Sequence, residues 1–151
     1  MHTHKKDKEY FGATALYNAV GVLVDNILAD KFYPVYIYGI PKGGVPVAIA
    51  LNAFFRKQGV GTCVVDVLPD DVANTLIVDD CCDSGNTLLP FVEKKYRTAV
   101  IHRKTTCPIT PTYYAGDSSK WIHYFWEGTA LADSITDNVV RQLQFIGEDP
   151  N

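Results

Sequence analysis

The sequence lacks any apolar run approaching the roughly 18 residues needed to cross a bilayer. It also lacks an excess of one charge. Fourteen Lys and Arg against 17 Asp and Glu leave a formal net charge of −3, which gives no reason to expect nucleic acid or a membrane surface as partner. The four cysteines, Cys63, Cys81, Cys82 and Cys107, show neither zinc-ligand nor CxxC spacing. Adjacent Cys81 and Cys82 do not ordinarily bridge each other, so a reducing, cytoplasmic setting is expected. The start, His2 to Lys8, is polar and has no apolar core of a signal peptide; His2 and His4 are expected in a loose end, not a metal site. What is present suits one domain with a real core: 151 residues, 47% apolar and 21% charged.

Read in order, Ala13 to Ala29 places Leu16, Val20, Leu23, Val24, Ile27 and Leu28 near helical period, which predicts an amphipathic helix over a sheet. Pro34 to Ile40, Gly61 to Val67, residues 74–80 and residues 97–102 read as strands, and Val45 to Lys57 as a helix with Pro46 in its first turn. Strands alternating with helices predict an α/β fold on a parallel β-sheet flanked by helices. Cys107 to Asp117, rich in proline and tyrosine, reads as a loop.

One stretch carries the chemistry: Val78-Asp79-Asp80-Cys81-Cys82-Asp83-Ser84-Gly85-Asn86-Thr87. The apolar Leu76-Ile77-Val78 precedes it as a strand, and Leu88 to Lys95 follows as a helix with a proline in its first turn. Ligands of open α/β sheets sit at the carboxyl ends of strands. The unpaired N–H groups of a helix start suit a phosphate there. Ser84, Gly85 and Thr87 add hydroxyls and a glycine that lets the backbone approach an anion. Carboxylates beside a phosphate repel it unless they hold sugar hydroxyls or a divalent metal. An acidic pair after a strand also fits a receiver-type or other metal site. Asp79-Asp80-Cys81-Cys82-Asp83 also spells the DDxxD of prenyl-chain synthases, but that motif lies on helices of all-helical proteins.

Strand, acid pair, small polar loop and helix together resemble the phosphoribosyl pyrophosphate (PRPP) signature of the type I phosphoribosyltransferases. The resemblance implies that fold, with a small hood. Asp79 and Asp80 would hold the ribose hydroxyls, directly or through magnesium, and Asp83, Ser84, Gly85, Asn86 and Thr87 would wrap the 5′-phosphate. An acid at Asp83 is similar to members acting on 6-oxopurines, where it would face the purine N7 as general acid/base. Lys42-Gly43-Gly44, after the strand ending at Ile40, resembles the family's pyrophosphate loop, where a cis peptide would precede Lys42. Lys104, at the end of Arg97 to Lys104, would hydrogen-bond the exocyclic O6, a match preferred over Arg103. Lys120 to Glu127 is similar to the hood segment of xanthine–guanine enzymes. Trp121 would stack on the base, the Ile122 backbone would read its edge, and Glu127 would join Asp80 near magnesium, while Trp126 is expected in the core.

The implied activity joins guanine, hypoxanthine or xanthine to PRPP, giving a nucleoside 5′-monophosphate and pyrophosphate, in a homo-oligomer. One departure stands out. The connection from Leu68 to Ala73 is short where most type I enzymes carry a long closing loop, which favours a PRPP- or nucleotide-binding regulatory domain with little catalysis. The resemblance covers roughly residues 10 to 128, and the domain is taken as residues 1–131. In residues 132–151, Ser134-Ile135-Thr136-Asp137 fits a helix start, with Val139, Val140, Leu143 and Ile146 on one face. Helix plus Gly147-Glu148-Asp149-Pro150 is similar to the opening of GTP cyclohydrolase I, a fused or partner domain, or closes the transferase as an ordinary helix.

Overall fold

The computed structural model describes residues 8–127. The expected helix from Ser134, the second-domain reading of residues 132–151 and the two early histidines lie outside the described residues. In chain order the elements are β1 (Lys8–Phe11), α1 (Ala13–Ala29), β2 (Tyr36–Gly39), α2 (Gly44–Lys57), β3 (Cys63–Val65), a 3₁₀ turn (Val72–Asn74), β4 (Thr75–Cys82), α3 (Leu89–Glu93), β5 (Arg97–Lys104), β6 (Tyr113–Ser118) and β7 (Trp121–Tyr124). Five strands form a parallel sheet in the order β3-β2-β4-β5-β6, and β1 pairs with β7 in a separate two-stranded sheet. The α/β fold with a small hood is the architecture expected from the sequence.

Burial explains the strand sequences. Leu76, Ile77 and Val78 of β4 are fully buried, as befits a central parallel strand covered on both faces. α1 lays Leu16, Val20, Leu23, Val24 and Ile27 onto one face of the sheet, beside Val47, Ala48, Leu51 and Phe55 of α2. Leu88, Tyr96 and Cys107 pack with Ile77 and Val100 in a second cluster. No helix among the described residues is long and apolar enough to cross a membrane.

Two elements differ from the sequence reading. The stretch expected as a loop from Cys107 to Asp117 is loop only through Thr112; Tyr113–Ser118 is an edge strand paired with β5, His102 opposite Gly116 and Arg103 opposite Asp117. Pro108 and Pro111 break regularity only where they stand, while an edge strand accommodates glycine and aspartate on its free side. α3 is shorter than Leu88 to Lys95. It stops at Glu93, Lys95 takes a positive φ of 73°, and the Tyr96 N–H returns to the Phe91 carbonyl at 3.0 Å.

The sheet order reverses between β2 and β4: the chain leaves β2 for β3 on one side and returns to β4 on the other. A crevice at the carboxyl ends of such a strand pair is where open α/β sheets receive ligands. Both sequence motifs sit there, one after each strand.

Candidate active site

The β2 motif comes first. Ile40 donates to the Val78 carbonyl at 2.8 Å, so the chain leaves β2 still attached to β4. The Pro41–Lys42 peptide is cis. Gly44 lies so close to β4 that a Cβ there would stand 2.3 Å from the Val78 carbonyl oxygen. A Cβ on Gly43 would stand 2.3 Å from Asp80 Oδ2. Only glycine therefore lets the Lys42-Gly43-Gly44 turn seat against the acidic end of β4.

Asp79 is 8% exposed and its Oδ1 accepts the Asp80 N–H at 2.8 Å. Burial, then the neighbouring Asp80 charge, pushes the Asp79 carboxyl up to about 8. Asp80 is raised too, by burial first and also by Glu127, although contact with Asp79 opposes the rise. Two buried carboxyls cannot both ionise cheaply, so at neutral pH the pair holds on to a proton.

Beyond them the chain turns outward. Asp83, Ser84, Asn86 and Thr87 are exposed, and Gly85 adopts a φ of 86°, the left-handed region that glycine enters without strain. Ser84 Oγ accepts the Asn86 N–H at 3.2 Å, and the Gly85 carbonyl accepts from Leu89 at 2.9 Å, tying the loop to the start of α3. A hollow of about 70 Å³ lies inside this turn, bounded by Asp83, Ser84, Gly85 and Thr87 together with Cys81, Cys82 and Leu88.

A second cavity of about 130 Å³ opens beside it. Asp80, Asp83, Lys104, Trp121, Ile122 and Glu127 line it, so six residues singled out in the sequence face one space. Cys81 and Tyr124 complete the wall. The Lys104 ammonium lies 5.9 Å from the Trp121 ring centre and donates to the Lys120 carbonyl. Trp121 is 62% exposed, an aromatic rim and not a core residue. Trp126 is buried, as expected, with an indole N–H that finds no acceptor among the described residues. Glu127 Oε1 accepts the Tyr124 N–H at 2.9 Å, which fixes the acid at the mouth.

Strand alternation decides between neighbouring bases. Arg103 points away from the cavity, donating to the Ile109 and Cys107 carbonyls at 3.3 and 3.2 Å and pairing with Asp117 at 3.7 Å. Lys104, one residue on, faces the cavity.

Cys81 and Tyr124 were missed in the sequence. Both were accessible to the same period-two rule: Tyr124 follows Ile122 by two residues, and Cys81 precedes Asp83 by two. Tyr124 also reaches across to the main sheet. Its hydroxyl lies 3.0 Å from His102 Nδ1 and donates to the Asp80 carbonyl at 3.3 Å. Burial pushes the Tyr124 phenol up, so it stays a neutral hydrogen-bonding group. Burial likewise lowers His102 and raises the Cys81 thiol to about 11.

No family model and no curated protein sequence matches the chain. Solved structures do. A purine phosphoribosyltransferase from Pyrococcus horikoshii is 24% identical, with a TM-score of 0.65 over 82% of this chain and 95% of that one. The xanthine-guanine-hypoxanthine phosphoribosyltransferase of Helicobacter pylori is 17% identical, with a TM-score of 0.67 over 86% and 99%. A hypothetical protein from Neisseria gonorrhoeae with bound ppGpp is 16% identical, with a TM-score of 0.64 over 89% and 96%. The chain has the fold of the type I phosphoribosyltransferases, and among its structural neighbours are purine phosphoribosyltransferases.

Proposed function

We propose that the chain is a purine phosphoribosyltransferase acting on a 6-oxopurine, transferring the phosphoribosyl group of PRPP to a ring nitrogen of guanine, hypoxanthine or xanthine. The observation that carries this reading is the shared cavity of Asp80, Asp83, Lys104, Trp121, Ile122 and Glu127, built from three separate sequence motifs beside the loop hollow. The hollow bounded by Ser84, Gly85 and Thr87 takes the 5′-phosphate. Asp79 and Asp80 take the ribose hydroxyls, and Lys42, Gly43 and Gly44 take the pyrophosphate.

Carboxyl oxygens at Asp80 and Glu127, the second raising the cost of charging the first, form a hard, anionic donor set that suits magnesium. Bound there with PRPP, magnesium would supply charge neutralisation for the pyrophosphate leaving group. As the bond from ribose C1 to pyrophosphate breaks, positive charge develops on the ribose ring, and the acidic end of β4 stabilises it. Trp121 and Ile122 position the base, and Lys104 donates to its exocyclic oxygen. Asp83, exposed on the cavity wall, accepts or orients the N7 proton.

A second reading is a nucleotide-binding regulatory domain without turnover. The link between β3 and β4 is short and pinned: Tyr96 donates to the Pro69 carbonyl at 2.7 Å, and Thr75 to the Asp71 carbonyl at 2.7 Å. The ppGpp held by the Neisseria gonorrhoeae neighbour fits the same reading. Purified protein with magnesium, PRPP and each purine base in turn separates the two. Nucleotide and pyrophosphate formed in equal amounts support the transferase. Nucleotide binding with no turnover on any base supports the regulatory domain.

A further inference from the structure

Neither role above uses Cys82 and Cys107, the two buried cysteines of the chain. Cys82 is the last residue of β4, one position ahead of Asp83. Cys107 lies in the turn that follows β5, its N–H bonded to the Lys104 carbonyl at 2.9 Å. Their sulfurs stand 2.6 Å apart, about half an ångström beyond the roughly 2.05 Å of a disulfide.

The backbone on both sides is already in place for a bond. Arg103 holds the Cys107 and Ile109 carbonyls. The Ile109 side chain fills the space over Gly85, so closely that a Cβ there would stand 2.7 Å from its Cδ1. The turn at 105–112 is thus seated on the Asp83–Thr87 loop before any covalent link exists. The remaining thiols do not compete. Cys81 faces the larger cavity, and Cys63 lies on β3 at the far edge of the sheet.

We propose that Cys82 and Cys107 form a reversible dithiol–disulfide site that locks the Asp83–Thr87 loop to the turn at 105–112. The oxidant is a small disulfide such as glutathione disulfide. One cysteine thiolate attacks a sulfur of the oxidant and expels one glutathione thiolate. The second cysteine thiolate attacks the resulting mixed disulfide and expels the other. Two electrons pass from the protein to the oxidant, and the two thiol protons end on the two glutathione thiolates. The bond closes a loop in the unfolded chain as well, so the oxidised protein gains thermal stability.

The test equilibrates the full chain in a glutathione redox buffer, then quenches in acid, alkylates free thiols and maps peptides by mass spectrometry. A second sample is refolded from denaturant in the same buffer, so that access to the buried sulfurs does not limit the result. The expected result is one peptide pair joined through Cys82 and Cys107 and cleaved by dithiothreitol. The melting temperature should rise by about 5–10 °C on oxidation. Cys107→Ser should lose both the linked peptide and the rise while keeping its reduced-state melting temperature. Both cysteines recovered alkylated from both samples, or a bridge that runs through Cys81, would overturn the site. The readout is the bridge itself, independent of whether the chain makes nucleotide.

Discussion

The two halves of the cavity wall are built on different principles. The β4 half presents Asp80 from the centre of a five-stranded sheet, with Asp79 buried behind it and both carboxyls raised in pKa. The hood half presents Trp121 from a two-stranded sheet, exposed at 62%, with Lys104 reaching it from the end of β5. The first half is rigid and electrostatically costly; the second is cheap and open. Stability alone would favour apolar residues in this well-packed part of the sheet, so its acids are a cost that the function proposed above would account for.

If that contrast is real, damage to the β4 side should strike chemistry and phosphate binding, and damage to the hood should strike the base alone. The largest effect is expected at Asp83. Asp83→Asn keeps the shape and removes the proton acceptor, so turnover should fall by about 10²-fold or more while PRPP affinity holds. Near-normal turnover in steady-state assays would take Asp83 out of the reaction.

Gly43→Ala comes next. Its backbone angles of −62° and −30° suit alanine, so any loss comes from the new methyl meeting the Asp80 carboxylate. Overpacking of this kind costs roughly 1–3 kcal/mol and should lower both the melting temperature and the PRPP affinity measured by calorimetry. An alanine variant that binds PRPP normally would show that the close approach has no functional weight.

Trp121→Ala should be milder. A ring this exposed forfeits only part of its stacking, about 1 kcal/mol, the low end of the usual range. Base or nucleoside monophosphate affinity should drop by that amount and PRPP affinity should not. Equal losses for both ligands would erase the distinction between the halves.

The smallest effect is a slope. Asp79 sits against Asp80, and beyond that pair lie Glu127, Asp83 and Lys104 around the cavity. With its carboxyl raised from an ordinary 3.8 to about 8, the folded chain keeps a proton that the unfolded chain releases. Its contribution to stability is therefore full below the unfolded value and is lost as pH rises towards about 8. Without ligand, the melting temperature should fall between pH 5 and 8 from this group, and Asp79→Asn should flatten the fall. An unchanged slope in the variant would place the proton elsewhere.

Most of this was legible in the sequence because the relevant signals are local. Leu76-Ile77-Val78 followed by two acids, a glycine loop and a proline-started helix can be read within a dozen residues, and so can Lys42-Gly43-Gly44. The missed parts depend on partners far along the chain. Tyr113–Ser118 becomes a strand because β5 offers a free edge, not because of its composition. Lys8–Phe11, only four residues long, becomes a strand because Trp121–Tyr124 lies beside it. Tyr124 enters the site through a contact with Asp80, which is distant in sequence. Lys104, preferred over Arg103 in the sequence, does line the cavity, and the period-two phase of β5 gives the reason.

The pairing of β1 with β7 has a consequence for how the molecule assembles. Phe11 registers with Tyr124, so this small sheet joins the two ends of the described chain, whereas β2 and β4 meet across only a few dozen residues. Closing so long a span costs more chain entropy than closing the main sheet, and the reward is only four residue pairs. On a ribosome, the first strand must also wait for the last one to emerge. The carboxyl end of β4 and its loop can therefore be complete while the aromatic rim at Trp121 is still missing, so the two sides of the cavity form at different times in a newborn chain.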